Sequence, residues 1–219
     1  MQKQKIVWNT TWLILKPLLA IFCRFKTTGL ENIKTLQGPC ILAIATHSYG
    51  FDPYIVGTAM PFNSDLFPIR FMAKEKFFKM PLVKNIIEAY GTFPVIQGIG
   101  LENSLKPAAE LLKKNIAIGM FVEGRVAKNG ELREFKPGAA ALSIITGAPI
   151  IPIALKGTHQ IRNPFKFLFL QKKISVSFGQ PIQHNFTCLP GTTTQENREA
   201  IGKLTQKISE EIKNLYFFS

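Results

Sequence analysis

The sequence predicts an α/β fold: a central, largely parallel sheet with helices on both faces. Short apolar, β-branched runs alternate along the chain with stretches of helical periodicity, which is typical of parallel strands connected through helices. The chain has 219 residues, enough for one substantial domain. Hydrophobic residues make up 46 % of it and charged residues 19 %, so the composition excludes an intrinsically disordered protein.

The apolar runs at 40–46, 92–96, 116–122, 150–155 and 174–178 predict buried strands. The intervening stretches at 53–60, 77–88, 105–114 and 139–146 predict helices. A final helix is predicted because apolar residues recur there at spacings of three and four, namely Ile201, Leu204, Ile208, Ile212 and Leu215.

Residues 1–28 are predicted to form an amphipathic, membrane-associating helix, and residues 29–219 the main domain. Lys16 and Pro17 interrupt the apolar run, so this segment lacks the roughly 20 uncharged residues of a spanning helix. One stripe of large apolar residues predicts the lipid-facing side, and neighbouring basic residues can meet lipid head groups. The stripe consists of Trp8, Trp12, Leu15, Leu19 and Phe22. The alternative is a terminal helix packed on the core.

A net charge of +13 favours an anionic partner: nucleic acid, an acidic membrane leaflet or a phosphorylated substrate. The basic residues are dispersed and carry no helix-turn-helix, zinc-finger or aromatic ribonucleoprotein signature, so we expect no nucleic acid. The three cysteines form no C-x-x-C pair, and the three histidines do not cluster. We therefore expect neither a disulfide framework nor a metal site.

The segment Ala-Thr-His-Ser-Tyr-Gly-Phe-Asp-Pro at 45–53 carries the first candidate chemistry. His47 and Asp52 flank a predicted strand-to-helix turn, where sites in open α/β sheets gather, and Gly50 within that turn lets the two side chains meet. A carboxylate against one imidazole nitrogen leaves the other nitrogen free to accept a proton. The alternative is structural, because Asp-Pro is also a good helix start.

A second strand-to-loop transition contains Glu123, Gly124 and Arg125. Arginine at such a position can grip a phosphate by paired hydrogen bonds, and a carboxylate can position a hydroxyl. An arginine–glutamate surface pair is the alternative. Downstream, Lys136 precedes Pro137 and Gly138, and a glycine allows a ligand to approach the backbone.

These segments together resemble the glycerolipid acyltransferases typified by 1-acylglycerol-3-phosphate acyltransferase. The first family block is a histidine and an aspartate with four residues between them, as in His47 and Asp52, although Thr46 replaces the usual preceding asparagine. The segment 121–127 is similar to the block Phe-Pro-Glu-Gly-Thr-Arg-Ser, and 148–153 to a Val-Pro-Ile-Ile-Pro-Val strand. The segment 73–81 also follows the family pattern, and the resemblance runs from about Gly29 to Gly179.

The resemblance implies an O-acyltransferase of phospholipid synthesis, peripheral or monotopic at the cytoplasmic face of the cell membrane. His47 and Asp52 would be catalytic. An acyl thioester of acyl carrier protein or coenzyme A would be the co-substrate, with no resident cofactor, and 1-acylglycerol-3-phosphate the acceptor. The implied substrate-binding residues are Gly50, Lys74, Phe93, Glu123, Gly124, Arg125, Lys136 and Pro152. Alternatives are another lysophospholipid or glycerol-3-phosphate as acceptor, or a catalytically silent membrane-binding scaffold.

Two positions depart from the family pattern. Gln97 stands where the second block usually ends in an arginine, and Val126 occupies the usual arginine position of the third block. Arg125 lies one residue earlier and can serve the same role. A phosphate pocket with fewer arginines suits a lysophospholipid whose phosphate is esterified. The chain also lacks a G-x-S-x-G nucleophile elbow, so we expect direct acyl transfer.

Overall fold

The computed structural model describes residues 1–34, 36, 38–46, 50–96, 98–127, 129–161, 172–186 and 195–218. Its strands are β1 Cys23–Thr28, β2 Ile41–Ala45, β3 Arg70–Lys74, β4 Phe93–Val95, β5 Ile118–Phe121, β6 Ile150–Lys156 and β7 Lys172–Phe178. The α-helices are α1 Gln2–Phe22, α2 Glu31–Lys34, α3 Asp52–Ala59, α4 Pro81–Ala89, α5 Leu101–Lys113, α6 Gly138–Thr146 and α7 Gln195–Phe218. Two 3-10 helices cover Glu75–Lys79 and Thr158–Ile161.

The seven strands form one sheet in the order β1-β7-β6-β2-β5-β3-β4. Every neighbouring pair is parallel except β6 and β7, which run antiparallel. The carboxyl ends of β2, β3, β4, β5 and β6 therefore lie along one edge of the sheet, which we call the carboxyl edge. The predicted largely parallel α/β fold is confirmed.

Each face of the sheet carries its own apolar core, because side chains alternate along a buried strand. In β2, Ile41 and Ala43 point to one core, whereas Leu42 and Ile44 point to the other. Helices α5, α6 and α7 cover the first core. Helices α1 and α3 cover the second. Because the helices cover the two faces of the sheet, the loops that follow the strands lie at the carboxyl edge.

The first segment differs from its prediction in extent and orientation. Helix α1 ends at Phe22 because Cys23–Thr28 pairs with β7 as an edge strand of the sheet. Trp8 and Leu19 are each only 1 % exposed, so the predicted lipid-facing stripe is wrong for these two residues. The Trp8 indole N–H donates to the carbonyl of Ile69, 3.3 Å away. The division of the chain at residue 28 stays a prediction.

The outer side of α1 is apolar. Its exposed large side chains are Ile6, Leu13, Ile14, Leu18 and Ile21. The half-buried Lys16 lies between aromatic rings of Trp12 and Phe25, and burial lowers the pKa of its ammonium. Within the described ranges, no helix is both long enough and apolar enough to cross a bilayer.

The predicted helix at 77–88 is also wrong in its bounds. The chain forms the 3-10 helix Glu75–Lys79 and then a separate helix, α4, that begins at Pro81. Proline has no backbone N–H and a fixed φ, so it fits the first turn of a helix but not its interior. Strands β1 and β3 were not predicted, because their short sequences contain basic residues at both ends or in alternation.

Candidate functional site

Two predicted functional segments start side by side at the carboxyl edge. Strands β2 and β5 are neighbours, with Ile44 opposite Phe121. The Val122 N–H extends this pairing by donating to the carbonyl of Ile44 at 3.1 Å. The turn that leaves β2 and the loop that leaves β5 therefore begin next to each other, as expected for adjacent parallel strands in an open sheet.

Asp52 is the first residue of α3, and its side chain is fully buried. Pro53 follows it at the start of the helix, as predicted. The positive end of the helix dipole favours a carboxylate at this position, and burial of a charge is costly unless groups of opposite polarity compensate it. His47, Ser48 and Tyr49 lie outside the described residues.

The backbone on either side of that segment is defined. Thr46, the residue after β2, is buried, and its Oγ1 donates to the carbonyl of Leu155 in β6 at 2.8 Å. Gly50 is exposed, and a Cβ placed on it would meet no heavy atom within 4 Å. The turn is therefore anchored to the sheet at its start and bounded by open space beside Gly50.

The loop at 122–137 is closed on itself by two hydrogen bonds. The buried Glu123 carboxylate accepts the backbone N–H of Arg133 at 2.9 Å. The Lys136 N–H donates to the carbonyl of Val122 at 2.7 Å. Gly124 has φ +63°, a conformation that favours glycine. Glu123 therefore shapes the loop from within, while the next residues point outward.

Helix α7 and the second 3-10 helix hold the outer part of the same loop. The Tyr216 hydroxyl donates to the carbonyl of Gly130 at 2.7 Å, and a Cβ on Gly130 would lie 2.3 Å from Nδ1 of His159. Burial first, then the charges of Glu123 and Glu131, raise the pKa of Tyr216. Tyr216 thus stays a hydrogen-bond donor through neutral pH. Tyr216 and His159 were not among the predicted site residues, since nothing in their local spacing marks a contact with Gly130.

The acyltransferase family model matches residues 24–156, which is more than half of the chain and includes both site segments. The chain belongs to the acyltransferase family. The resemblance to glycerolipid acyltransferases inferred from the sequence is confirmed.

Relatives and a solved structure agree with this assignment. The chloroplastic 1-acyl-sn-glycerol-3-phosphate acyltransferase BAT2 of Brassica napus is 30 % identical over 147 residues, or 65 % of this chain and 41 % of that protein. A probable 1-acyl-sn-glycerol-3-phosphate acyltransferase of Mycoplasma genitalium is 27 % identical over 128 residues, or 58 % of this chain and 48 % of that protein. The chain thus spans less than half the length of these two relatives.

The crystal structure of PlsC from Thermotoga maritima, a 1-acyl-sn-glycerophosphate (LPA) acyltransferase, has the same fold. It superposes with a TM-score of 0.67 over 96 % of this chain and 81 % of that one, at 21 % sequence identity.

The predicted cationic residues of this acyltransferase-family chain lie on different parts of the carboxyl edge. Arg125 is exposed next to Gly124. Lys136 is exposed, and its Nζ lies 3.2 Å from an Oε of Glu134, an exposed ion pair of the kind that contributes little in water. Lys74 is the half-buried last residue of β3, opposite Val95 of β4. Gln97 lies outside the described residues.

Two further predicted substrate-binding residues are part of the sheet. Phe93 begins β4 and is half-buried against the core that α5 and α6 cover. Pro152 is buried within β6 opposite Ala43, about 10 Å before the level of Thr46 at roughly 3.3 Å per residue. The structure brings Asp52, Glu123 and Arg125 to the same edge, whereas Pro152 lies in the sheet interior. Its contact with a substrate stays a prediction.

The described cysteines are not suited to carry an acyl group. Burial raises the pKa of the Cys40 thiol to about 12 and that of Cys23 to about 11. Because the thiolate is the nucleophilic form, both thiols are inert near neutral pH. Cys188 lies outside the described residues.

Proposed function

We propose that this chain transfers an acyl group from an acyl thioester to the free hydroxyl of 1-acylglycerol-3-phosphate in phospholipid synthesis. The names of its relatives support this acceptor, since they are 1-acyl-sn-glycerol-3-phosphate acyltransferases. We expect the thioester to be that of coenzyme A or acyl carrier protein. It acts as a co-substrate, and the reaction needs no resident cofactor.

The observation that carries the proposal is the position of Asp52. Its carboxylate is fully buried at the N-terminus of α3, on the same edge of the sheet as the Glu123 loop. A buried carboxylate close in sequence to a histidine can hold the imidazole in one tautomer and stabilise the imidazolium that forms on protonation. In this proposal His47 is the base, and Asp52 is the residue that positions it.

The reaction then proceeds in two steps. His47 removes the proton of the acceptor hydroxyl while the hydroxyl oxygen forms a bond to the thioester carbonyl carbon. The resulting tetrahedral intermediate collapses by breaking the carbon–sulfur bond, and the leaving thiolate takes the proton from His47. General-base assistance of this kind contributes about 10²–10⁴-fold, and the side-by-side binding of two substrates contributes further.

Arg125 is the proposed phosphate ligand. It is exposed at the carboxyl edge, and the bond between Glu123 and the Arg133 N–H holds the loop from which it projects. Lys74, Lys136 and the backbone at Gly124 complete the proposed binding surface. Arginine suits this role because its planar guanidinium pairs with two phosphate oxygens at once.

The chain is also proposed to work at the cytoplasmic face of the cell membrane without spanning it. Residues 1–28 are the proposed membrane-associating segment. The exposed apolar side of α1 and the net charge of +13 support this, because an apolar face with nearby cations suits an anionic leaflet.

A lysophospholipid with an esterified phosphate is the second candidate acceptor. Val126 and Gln97 replace two usual arginines of the family pattern. A phosphodiester carries less negative charge than a phosphomonoester and needs fewer cations.

The decisive experiment incubates the purified full chain with radiolabelled acyl-CoA or acyl carrier protein thioester and a panel of acceptors. The panel contains 1-acylglycerol-3-phosphate, lysophospholipids with esterified phosphates, and glycerol-3-phosphate. We expect transfer to the first, lost in His47→Gln but kept in His184→Gln, a matched change at a histidine bonded to Ser143. Lipid binding without turnover on any acceptor would instead identify a scaffold.

Arg125→Ala separates acceptor binding from donor binding. Losing a charge-assisted contact to phosphate costs about 1.5–3 kcal/mol, so the acceptor KM should rise about 10- to 100-fold with little change in the donor KM. Arg198→Ala, at an exposed arginine of α7, is the matched control. A change confined to the donor KM would show that Arg125 does not hold the acceptor phosphate.

A further inference from the structure

Helix α4 exposes more apolar surface than a helix of a folded core does. None of its residues is buried, although apolar residues form most of its sequence. Leu82 is 81 % exposed and Ile86 54 % exposed. These two side chains stand four residues apart and therefore lie on the same side of the helix. Moving an exposed leucine or isoleucine side chain from water into an apolar environment is favourable.

Further exposed apolar side chains precede α4, one in the 3-10 helix and one at the residue that joins the two helices. Phe77 is 37 % exposed and Met80 is 50 % exposed. We call these four side chains and the nearby Lys76 and Lys79 the α4 surface. A patch of large apolar residues bordered by polar ones marks an interaction site on a folded protein.

The border of the α4 surface is basic. Residues 74–90 contain four lysines and two glutamates. The ion pairs Lys79–Glu75 and Lys84–Glu88 span 3.1 and 3.9 Å, and all four side chains are about half exposed or more. Such pairs contribute little in water, so the lysines are available to an anionic partner.

The α4 surface adjoins both the carboxyl edge and α1. The 3-10 helix starts directly after Lys74, the carboxyl end of β3. At the other end of α4, the Tyr90 hydroxyl is hydrogen-bonded to Thr11 of α1, and the Tyr90 ring lies 4.9 Å from that of Trp8. A lipid held at this surface would therefore lie close to the loops of the proposed site.

We propose that the α4 surface inserts into a lipid leaflet with anionic head groups, as a membrane contact separate from α1. The four apolar side chains enter the boundary of the acyl chains, and the lysines meet lipid phosphates. An acidic carrier protein would match the lysines but not an 81 % exposed leucine, so the bilayer fits better. The proposal relies on the proposed function only for the need to reach a lipid substrate.

The test is co-sedimentation of the full chain with vesicles of phosphatidylcholine alone and of equal parts phosphatidylcholine and phosphatidylglycerol. Leu82→Ser/Ile86→Ser should weaken binding to the mixed vesicles about tenfold or more, because the favourable transfer free energy of two large apolar side chains is lost. Lys76→Gln/Lys79→Gln should weaken binding to the mixed vesicles only. Circular dichroism checks that each variant is folded. We expect all of them to fold, because the substituted side chains are exposed.

Two matched controls lie elsewhere on the chain. Phe186→Ser removes another exposed apolar side chain, and Lys203→Gln/Lys207→Gln removes two exposed lysines of α7. Both should bind vesicles like the unmodified chain. If they weaken binding as much as the α4 variants do, the effect reflects overall hydrophobicity or charge, and the proposed contact is wrong.

Other results separate this proposal from its rivals. Unchanged vesicle binding by Leu82→Ser/Ile86→Ser overturns it. If that variant instead raises the KM for an acyl carrier protein thioester but not for acyl-CoA, the surface docks the carrier protein. The acyl-transfer activity of the unmodified chain in detergent micelles is measured separately. If the unmodified chain is inactive on every acceptor but Leu82→Ser/Ile86→Ser still weakens vesicle binding, the α4 contact stands and the proposed function is wrong.

Discussion

The turn after β2 and the loop after β5 leave neighbouring strands but are built in different ways. The first precedes α3, whose first helical residues are Asp52 and Pro53. The second runs through 122–137 before α6 begins at Gly138. It is held by Glu123, which accepts the Arg133 N–H, and by Tyr216 of α7, which donates to Gly130.

The difference shows where each half of the site gets its geometry. The turn after β2 is set by local chemistry, since an acidic residue and a proline both favour the start of a helix. The described residues of the loop after β5 form no helix, and the loop is held by contacts from distant parts of the chain. Tyr216 and Gly130 are 86 residues apart in sequence. We therefore expect changes in the turn to affect chemistry and changes around the loop to affect substrate binding.

Asp52→Asn should have the largest effect. The amide keeps the size of the side chain but cannot stabilise an imidazolium, so kcat should fall about 10²- to 10⁴-fold, the range of general-base catalysis. Steady-state kinetics and the thermal unfolding midpoint are measured together. Asp65→Asn, at an exposed aspartate, is the control. An unchanged kcat would remove Asp52 from the mechanism and reduce the turn to a helix start.

Tyr216→Phe should have a smaller effect of a different kind. Loss of one hydrogen bond costs about 0.5–1.5 kcal/mol, and the freed loop should raise the acceptor KM severalfold while kcat stays close to its original value. Because its pKa is raised above the ordinary value near 10, Tyr216 keeps its proton below that pH. The dependence of kcat on pH should therefore have the same shape in Tyr216→Phe and in the unmodified chain through neutral pH.

Tyr90→Phe is the matched control for Tyr216→Phe, because it removes a hydrogen bond to Thr11 instead. It should lower stability without changing the acceptor KM. Equal shifts of KM in both variants would mean that Tyr216 acts only through overall stability and does not position the loop.

Gly50→Ala should have the smallest effect on stability. A Cβ there meets nothing within 4 Å, whereas a Cβ on Gly57 would lie 2.2 Å from the Trp8 ring. Gly57→Ala should thus lose about 1–3 kcal/mol from overpacking, and Gly50→Ala should melt like the original chain. If Gly50→Ala loses activity without losing stability, the added methyl group must clash with a bound substrate. Equal melting losses in the two variants would contradict the open space beside Gly50.

Much of the fold was predictable because buried strands carry a local signal. The apolar runs of β2, β5 and β6 are continuous, so composition alone marks them. Strand β1 reads Cys-Arg-Phe-Lys-Thr-Thr and became a strand only through pairing with β7. Part of the candidate site was predictable in the same way. Asp52 precedes a proline at a helix start and Glu123 follows a buried strand, and both signals are local. Tyr216 belongs to a helix whose periodicity indicates only packing.

The sequence by itself determined the α/β class, most strands and helices, and the functional groups that follow them, because periodicity, proline and charge act over a few neighbouring residues. Only the tertiary structure decided the strand order, the side of α1 that faces the core, and the partner of the loop after β5. Each depends on contacts between distant residues, such as Trp8 with Ile69, 61 positions apart. Such contacts form only when the helices pack on the assembled sheet, so no local pattern encodes them.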